Sequence, residues 1–182
     1  MPQARCGTLT VRNGSTETQK PDWRHGEGHV NKCEEIAAAY RAVTVAGAWY
    51  GPAIGEMLAK ITPEMAVTKP VGATHTIAQL LQHLLLWNER IRKTSESCPM
   101  PKWEAEKEWA EAAIPWKELV ERWNKSRDLL EERMRNFAEA DLGKQTPGRT
   151  YPYEFMLNGI VQHTIWHGGQ IAMVRSMVKR KT

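Results

Sequence analysis

The stretch Gly159-Ile160-Val161-Gln162-His163-Thr164-Ile165-Trp166-His167-Gly168-Gly169-Gln170-Ile171 places two histidines four residues apart in a run with helical periodicity. Residues at positions i and i+4 of an α-helix are about 40° apart around the axis and about 6 Å apart along it. Ile160, Ile171 and Val174 share the same face. The pattern therefore predicts that His163 and His167 lie together in the apolar stripe of a long helix.

The two histidines have two competing interpretations. A single histidine on an apolar face is most often a core residue with hydrogen-bonded nitrogens, and this interpretation stays open for both. Two of them on one apolar face are harder to accommodate, because each buried imidazole carries two polar nitrogens that need partners. A shared metal ion would satisfy one nitrogen on each ring.

The composition is that of a soluble globular chain of 182 residues, which is long enough to bury one full core. The net charge of +4 is modest. Acidic and basic residues alternate over 104–111 and 118–135, which is typical of solvated helix faces and argues against nucleic-acid binding. The three cysteines form no C-x-x-C motif, which favours a reducing cytoplasm. No apolar run is long enough to span a membrane, so we expect a soluble cytoplasmic protein.

Apolar periodicity predicts four long helices. Residues 1–31 are polar, and we expect a disordered arm there, ahead of one helical domain over 32–182. The helices are predicted at residues 32–61, 76–93, 115–140 and 153–178, with loops over 62–75 and 144–152. The first should kink or restart at Pro52, the second should begin with a T-x-x-Q capping box at Thr76, and Gly143 should cap the end of the third.

The connection over residues 94–114 is long enough for the third helix to run parallel to the second. No convincing strand run or hairpin turn is present in the sequence. We therefore predict an all-α fold, a four-helix bundle with a long crossover between helices two and three.

A third histidine, His83, lies beside the apolar stripe of the second predicted helix, at its boundary. Together with His163 and His167 it matches a site of three imidazole nitrogens with an open coordination position. Imidazole suits Zn, Ni, Cu or Fe. His25 and His29 have the same four-residue spacing, but two glycines between them argue against a helix.

The sequence argues against several other kinds of metal or catalytic site. A zincin needs H-E-x-x-H, whereas Thr164 stands in the place of the glutamate. The predicted helices also lack the paired E-x-x-H motifs of di-iron bundles and an obvious carboxylate for the 2-His-1-carboxylate iron triad. Neither a glycine-rich phosphate loop nor a G-x-S-x-G nucleophile elbow is present.

Residues near the histidines leave alternatives open. Gln170, one turn after His167, either orients that ring or makes an ordinary hydrogen bond within the bundle. Trp87 and Tyr50 either reach the site or pack in the core. The pair Gly168-Gly169 weakens a helix, and we expect a compensating feature such as close approach of a neighbouring helix.

The segments HTIAQLLQHLLLWNER (75–90) and GIVQHTIWHGGQIAMVR (159–175) resemble the DinB/YfiT-like superfamily of damage-inducible four-helix bundles, and AWYGPAIGEMLAKITPEMA (48–66) is similar to it as well. The resemblance covers about residues 33–178. It implies an up-down-down-up bundle, often dimeric, with a divalent metal, frequently Ni or Zn, at the positions of His83, His163 and His167. Characterised relatives are metal-dependent hydrolases or thiol S-transferases that use low-molecular-weight thiols, and many members have no assigned reaction.

The sequence thus predicts a DinB-like metal-binding protein, a divalent-metal-dependent thiol S-transferase or hydrolase acting on a small molecule, without assigning catalytic residues. The alternatives are a non-catalytic metal-binding or stress-response bundle and a plain bundle with core histidines. Three protein ligands favour an enzyme, because structural zinc is usually closed by four. The missing glutamate at position 164 favours thiol transfer over hydrolysis by a small margin.

Overall fold

The computed structural model describes residues 31–98, 100, 108–110 and 113–179. These residues form helices α1 (Lys32–Thr44), α2 (Ile54–Leu58), α3 (Pro63–Val67), α4 (Ile77–Ser95), α5 (Trp116–Arg135) and α6 (Tyr153–Lys179), with a 3₁₀ turn at Glu139–Asp141. No strand occurs in this part of the chain, which confirms the all-α class. The predicted arm, except for Asn31, lies outside the described residues.

Side-chain caps fix the starts of two long helices. Asn31, assigned to the arm from the sequence, caps α1, because its Oδ1 accepts a hydrogen bond from the Cys33 backbone N–H at 2.8 Å. At the start of α4 the Gln79 N–H donates to Thr76 Oγ1 at 3.1 Å, and the Thr76 N–H donates to Gln79 Oε1 at 3.0 Å. The capping box predicted at Thr76 is therefore confirmed.

The predicted first helix over 32–61 is wrong in length. It ends at Thr44, and Gly47 follows with a φ of 99°. This left-handed conformation suits glycine, which has no Cβ to clash, and it lies two residues beyond the C-cap Val45. The break therefore comes before Pro52, and a separate helix, α2, starts at Ile54.

Two further boundaries differ from prediction. The loop expected over 62–75 contains α3. The third predicted helix ends at Arg135, with Asn136 in the capping position expected for Gly143. Beyond this cap, Ala138 adopts an extended conformation and starts the 3₁₀ turn. The second and fourth predicted helices agree with α4 and α6 within two residues.

The four long helices pack in pairs around one core. α4 packs against α5 and α6, and α1 packs against the same two helices. The large side chains that are fully buried come from all four, among them Tyr40, Leu84, Trp123 and Leu157. Among the described residues, no helix combines the length and apolar character needed to cross a bilayer.

A buried chain of hydrogen bonds joins three of these helices. The Tyr40 hydroxyl in α1 donates to Asn88 Oδ1 in α4 at 2.8 Å, and Asn88 Nδ2 donates to Ser126 Oγ in α5 at 3.2 Å. The Ser126 hydroxyl in turn donates to the Trp123 carbonyl at 2.9 Å. Because each buried polar group has a partner, the chain fixes the three helices at one level without the cost of unsatisfied groups.

We expect Asn88→Ala to lower the free energy of unfolding by about 1–3 kcal/mol, because it leaves the buried Tyr40 hydroxyl and Ser126 without their partner. Asn158→Ala is the matched control: Asn158 is exposed and bonds only the Glu154 carbonyl of its own helix, so its effect should stay within about 0.5 kcal/mol. Urea denaturation measures both. Equal losses in the two variants would contradict a special role for the buried chain.

Candidate metal centre

Packing of α4 against α6 brings the three predicted histidines together. The Nε2 atoms of His83 and His163 are 2.9 Å apart, and one nitrogen from each of the three rings lies within 4.8 Å of the others. The His167 ring centroid is 4.4 Å from that of His83 and 4.5 Å from that of His163. Among the described residues, no other such group of metal-ligating side chains occurs.

Two of the three rings are buried. His83 is 3% exposed and His167 is 6% exposed, whereas His163 is half-buried. The predicted boundary position of His83 is therefore wrong. Trp109, from the connection between α4 and α5, stacks on the His83 ring with centroids 4.3 Å apart and planes 5° apart, so a residue outside both helices completes its burial.

Burial keeps the imidazoles neutral. Burial, with His167 and His163 close by, lowers the pKa of His83 to about 3. Burial and the neighbouring His167 lower the pKa of His163 to about 4, and the pKa of His167 is also lowered, chiefly by burial. Neutral imidazole is the form that binds metals, so protons compete weakly with a cation at neutral pH.

The nitrogens fit a shared cation. The His167 Nδ1–H donates to Gln170 Oε1 at 2.6 Å, which leaves the lone pair of that ring on Nε2. The facing Nε2 atoms of His83 and His163 can share only one hydrogen between them. Two nitrogens that each lie about 2.0–2.1 Å from one ion, at bond angles of about 90–110°, are about 2.9–3.4 Å apart. The observed 2.9 Å falls in this range, so the donor set fits a divalent ion without rearrangement of this pair.

A buried carboxylate lies on the other side of the His83 ring. Glu108 is 9% exposed, and its Oε1 is 2.9 Å from His83 Nδ1. Nδ1 of His83 makes no aligned hydrogen bond with this oxygen, so the contact is a close approach of a neutral imidazole to the carboxyl group. The Trp87 indole N–H donates to the same oxygen at 3.4 Å. Burial raises the pKa of Glu108, and the expectation of a solvated face over 104–111 is wrong for this residue.

The open alternatives for the neighbouring aromatic residues are settled by their surroundings. Trp87 lies beside the site, with its ring centroid 5.0 Å from that of His163. Tyr50 is 54% exposed, so it does not pack in the core. Trp109 stacks on a further histidine, His75, with centroids 3.7 Å apart. Indole rings therefore shield the cluster on the α4 side.

Only one of the paired glycines permits close packing. A Cβ on Gly168 would lie 3.3 Å from the Ile54 side chain, whereas a Cβ on Gly169 would meet nothing within 4 Å. Gly168 therefore lets α2 approach α6 next to His167. The remaining histidine pair, His25 and His29, lies outside the described residues.

Sequence reasoning missed Glu108, Trp109 and His75. Two signals were available for them. His75 directly precedes Thr76, the N-cap of α4, which places His75 at the start of that helix. Trp109 is a large apolar ring in a charged segment, where it needs a surface to cover.

In a comparison with protein families, the sequence model of the DinB superfamily matches residues 53–171. This range contains His83, His163 and His167. It begins after α1, and so is shorter than the resemblance drawn from the motifs. No curated protein and no solved structure matches the chain.

We expect His83→Ala, His163→Ala and His167→Ala each to lose bound Zn or Ni, because each removes one of three donors. His75→Ala is the control, since its ring lies outside the donor cluster. Elemental analysis after dialysis against each metal measures the content. Equal metal in the wild type and in His163→Ala would defeat the assignment.

A milder variant tests whether Gln170 orients the His167 ring. Gln170→Ala removes the acceptor for Nδ1–H and should weaken metal affinity by about 10- to 100-fold. Gln162→Ala makes the same change at an exposed position of the same helix and should leave affinity unchanged. Competition with a chromogenic chelator measures both, and equal affinities for the two variants would rule out an orienting role for Gln170.

Proposed function

The chain belongs to the DinB superfamily, and on that premise we propose that His83, His163 and His167 bind one divalent metal ion and that the protein is a metal-dependent enzyme acting on a small molecule. Ni and Zn are the ions we propose first, as the resemblance implies. The reaction is thiol S-transfer, with hydrolysis as the second candidate. The thiol would be a low-molecular-weight compound.

The observation that carries this proposal is the convergence of three neutral imidazoles with no carboxylate among them. Three protein donors leave a coordination position for a substrate, whereas structural zinc is usually closed by four donors. A divalent ion held here supplies Lewis acidity, which lowers the pKa of a thiol or water that it binds. The ligand set is uncharged, so the ion keeps its full positive charge.

The remaining residues of the site position groups and exclude water. Gln170 holds the His167 ring through Nδ1, and Glu108 lies against Nδ1 of His83. Such contacts on the far side of a ligand ring fix its orientation. Trp109 and Trp87 cover the rings of His83 and His163, which lowers the local dielectric and strengthens electrostatic interactions at the site.

The residue at position 164 and the placement of Glu108 favour thiol transfer over hydrolysis. Thr164 replaces the zincin glutamate, and its buried hydroxyl donates to the Ile160 carbonyl at 2.7 Å. Glu108 lies next to the opposite nitrogen of His83 and accepts from Trp87. Hydrolysis gains from a base that activates water, whereas a thiolate needs none once it has formed.

We propose the up-down-down-up topology for the bundle. Asn88 with Ser126 and Ser95 with Arg133 share one sequence offset of 38 residues, which supports a parallel α4 and α5. The contacts of α1 with α5 run in reverse order, Glu34 with Arg135 and Arg41 with Glu131.

A homodimer in the cytoplasm completes the proposal. The outer face of α6 exposes Phe155 (65%) and Trp166 (69%), and apolar side chains of this size on one face are typical of association surfaces. Cys33 and Cys98 are free cysteines, which suits a reducing compartment.

We expect the Zn- or Ni-loaded protein to conjugate low-molecular-weight thiols to a chromogenic electrophile, and His167→Ala to reduce the rate at least about 100-fold because it removes a ligand. A parallel panel of esters and amides tests hydrolysis. Exposed Gln162→Ala serves as the unaffected control. If the fully metallated protein turns over neither panel, the proposed reactions are refuted and the alternative of a non-catalytic metal-binding bundle is favoured.

We expect Trp166→Glu to convert a dimer into a monomer, since a buried carboxylate opposes association. Lys179→Glu, an exposed change at the end of the same helix, should leave the mass unchanged. Sedimentation velocity measures both variants, and a wild-type protein that sediments as a monomer refutes the dimer.

A further inference from the structure

A pocket of about 130 Å³, partly open to solvent, lies between the turn that precedes α4 and the second half of α6. Its apolar wall is formed by Ala73, Leu80, Met173, Val174 and Met177, and we call it the methionine pocket. Polar groups are contributed by Thr74, His75 and Gln170. No Asp, Glu, Lys or Arg is among its described lining residues.

The methionine pocket touches the surroundings of the histidine cluster at two points. Gln170 lines the pocket and accepts the Nδ1–H of His167 at 2.6 Å. His75 lines it as well and stacks on Trp109 at 3.7 Å, and Trp109 stacks on His83 at 4.3 Å. The pocket wall is thus one residue away from His167 and two from His83.

We propose that the methionine pocket binds the apolar substituent of the substrate, a compact uncharged group no larger than a single aromatic ring or a short branched alkyl chain. That this group belongs to a substrate rests on the proposed function. Binding of the group itself is independent of any reaction.

Size and chemistry define this ligand class. An apolar cavity of about 150 Å³ accommodates benzene, and the methionine pocket, at about 130 Å³, is slightly smaller. A carboxylate or ammonium group would meet no opposite charge among the described lining residues. Methionine side chains are flexible and polarisable, so Met173 and Met177 can adapt to rings and branched chains alike.

The polar side of the pocket sets the orientation. His75 and Gln170 lie on the side that leads to the cluster, as their contacts with Trp109 and His167 show. A substrate with its apolar group against Met173 and Met177 therefore has its polar, reactive end directed towards the histidines. The pocket selects the substrate by its substituent and leaves the reacting atom to the metal centre.

Benzene is the probe for the test, because it lacks any reactive group. The zinc-loaded protein is labelled with [ε-¹³C]methionine, and the signals of Met173 and Met177 among the eight methionines are assigned through Met173→Leu and Met177→Leu. We expect saturable shifts of these two methyl signals as benzene is added. No saturable shift up to the solubility of benzene would overturn the proposal.

Matched variants separate pocket filling from general loosening of α6. Val174→Phe fills the pocket and should abolish the shifts, whereas Val178→Phe, one turn later and equally buried at 7% exposure, lies outside it and should preserve them. Ala73→Leu, at a half-buried turn position, fills the pocket without altering α6. Persistence of the shifts in folded Val174→Phe and Ala73→Leu, or equal loss in Val178→Phe, would overturn the proposal.

A kinetic comparison then connects the pocket to the reaction. With a benzyl and a methyl electrophile of matched leaving group, Val174→Phe should raise the ratio of KM for the benzyl compound to KM for the methyl compound by about tenfold or more, as expected for loss of an apolar subsite, whereas Val178→Phe should leave that ratio unchanged. Benzene binding without turnover of either compound would refute the proposed reaction and support the pocket. Turnover without benzene binding would support the proposed reaction and refute the pocket.

Discussion

Three imidazoles in contact, two of them buried and one half-buried, must each find partners for two nitrogens, and this requirement organises the site. The rings of His83, His163 and His167 occupy a place in the α4–α6 contact where apolar side chains would ordinarily meet. Gln170 satisfies one outer nitrogen by an aligned hydrogen bond, and Glu108 lies against another. The inner nitrogens face one another, and a shared cation is the partner that satisfies several of them at once.

The scaffold divides its tasks among different parts of the chain. α4 and α6 supply the candidate ligands, and the connection between α4 and α5 supplies the carboxylate and indole that cover His83. α1 and α5 take no part in the cluster. They hold α4 in place through Tyr40, Asn88 and Ser126. The donors thus stand on rigid, packed helices, which is the arrangement that keeps a metal site precise.

How much could be predicted from the sequence depended on how local each signal was. The pairing of His163 with His167 follows from helix geometry alone, and the capping box at Thr76 is contained in four residues. His83 was placed at a boundary because its burial comes from Trp109, which no helical wheel of α4 contains. Glu108 was assigned to a solvated face for the same reason. The end of α1 at Thr44 differs from the prediction because Pro52 is the stronger helix-breaking signal in the sequence, whereas the chain has already left the helix before Gly47.

The distance along the chain between the ligands has a consequence for folding. His83 and His163 are 80 residues apart, so an ion can bridge them only after a long loop has closed, and the unfolded chain has no comparable site. Binding that is restricted to the folded state stabilises it by mass action, by about 2.7 kcal/mol when the free ion is at 100 times its Kd. For a chain whose candidate ligands come from opposite halves, metal binding as proposed here would make the supply of metal in the cell one determinant of how often the protein unfolds and how long it survives proteases.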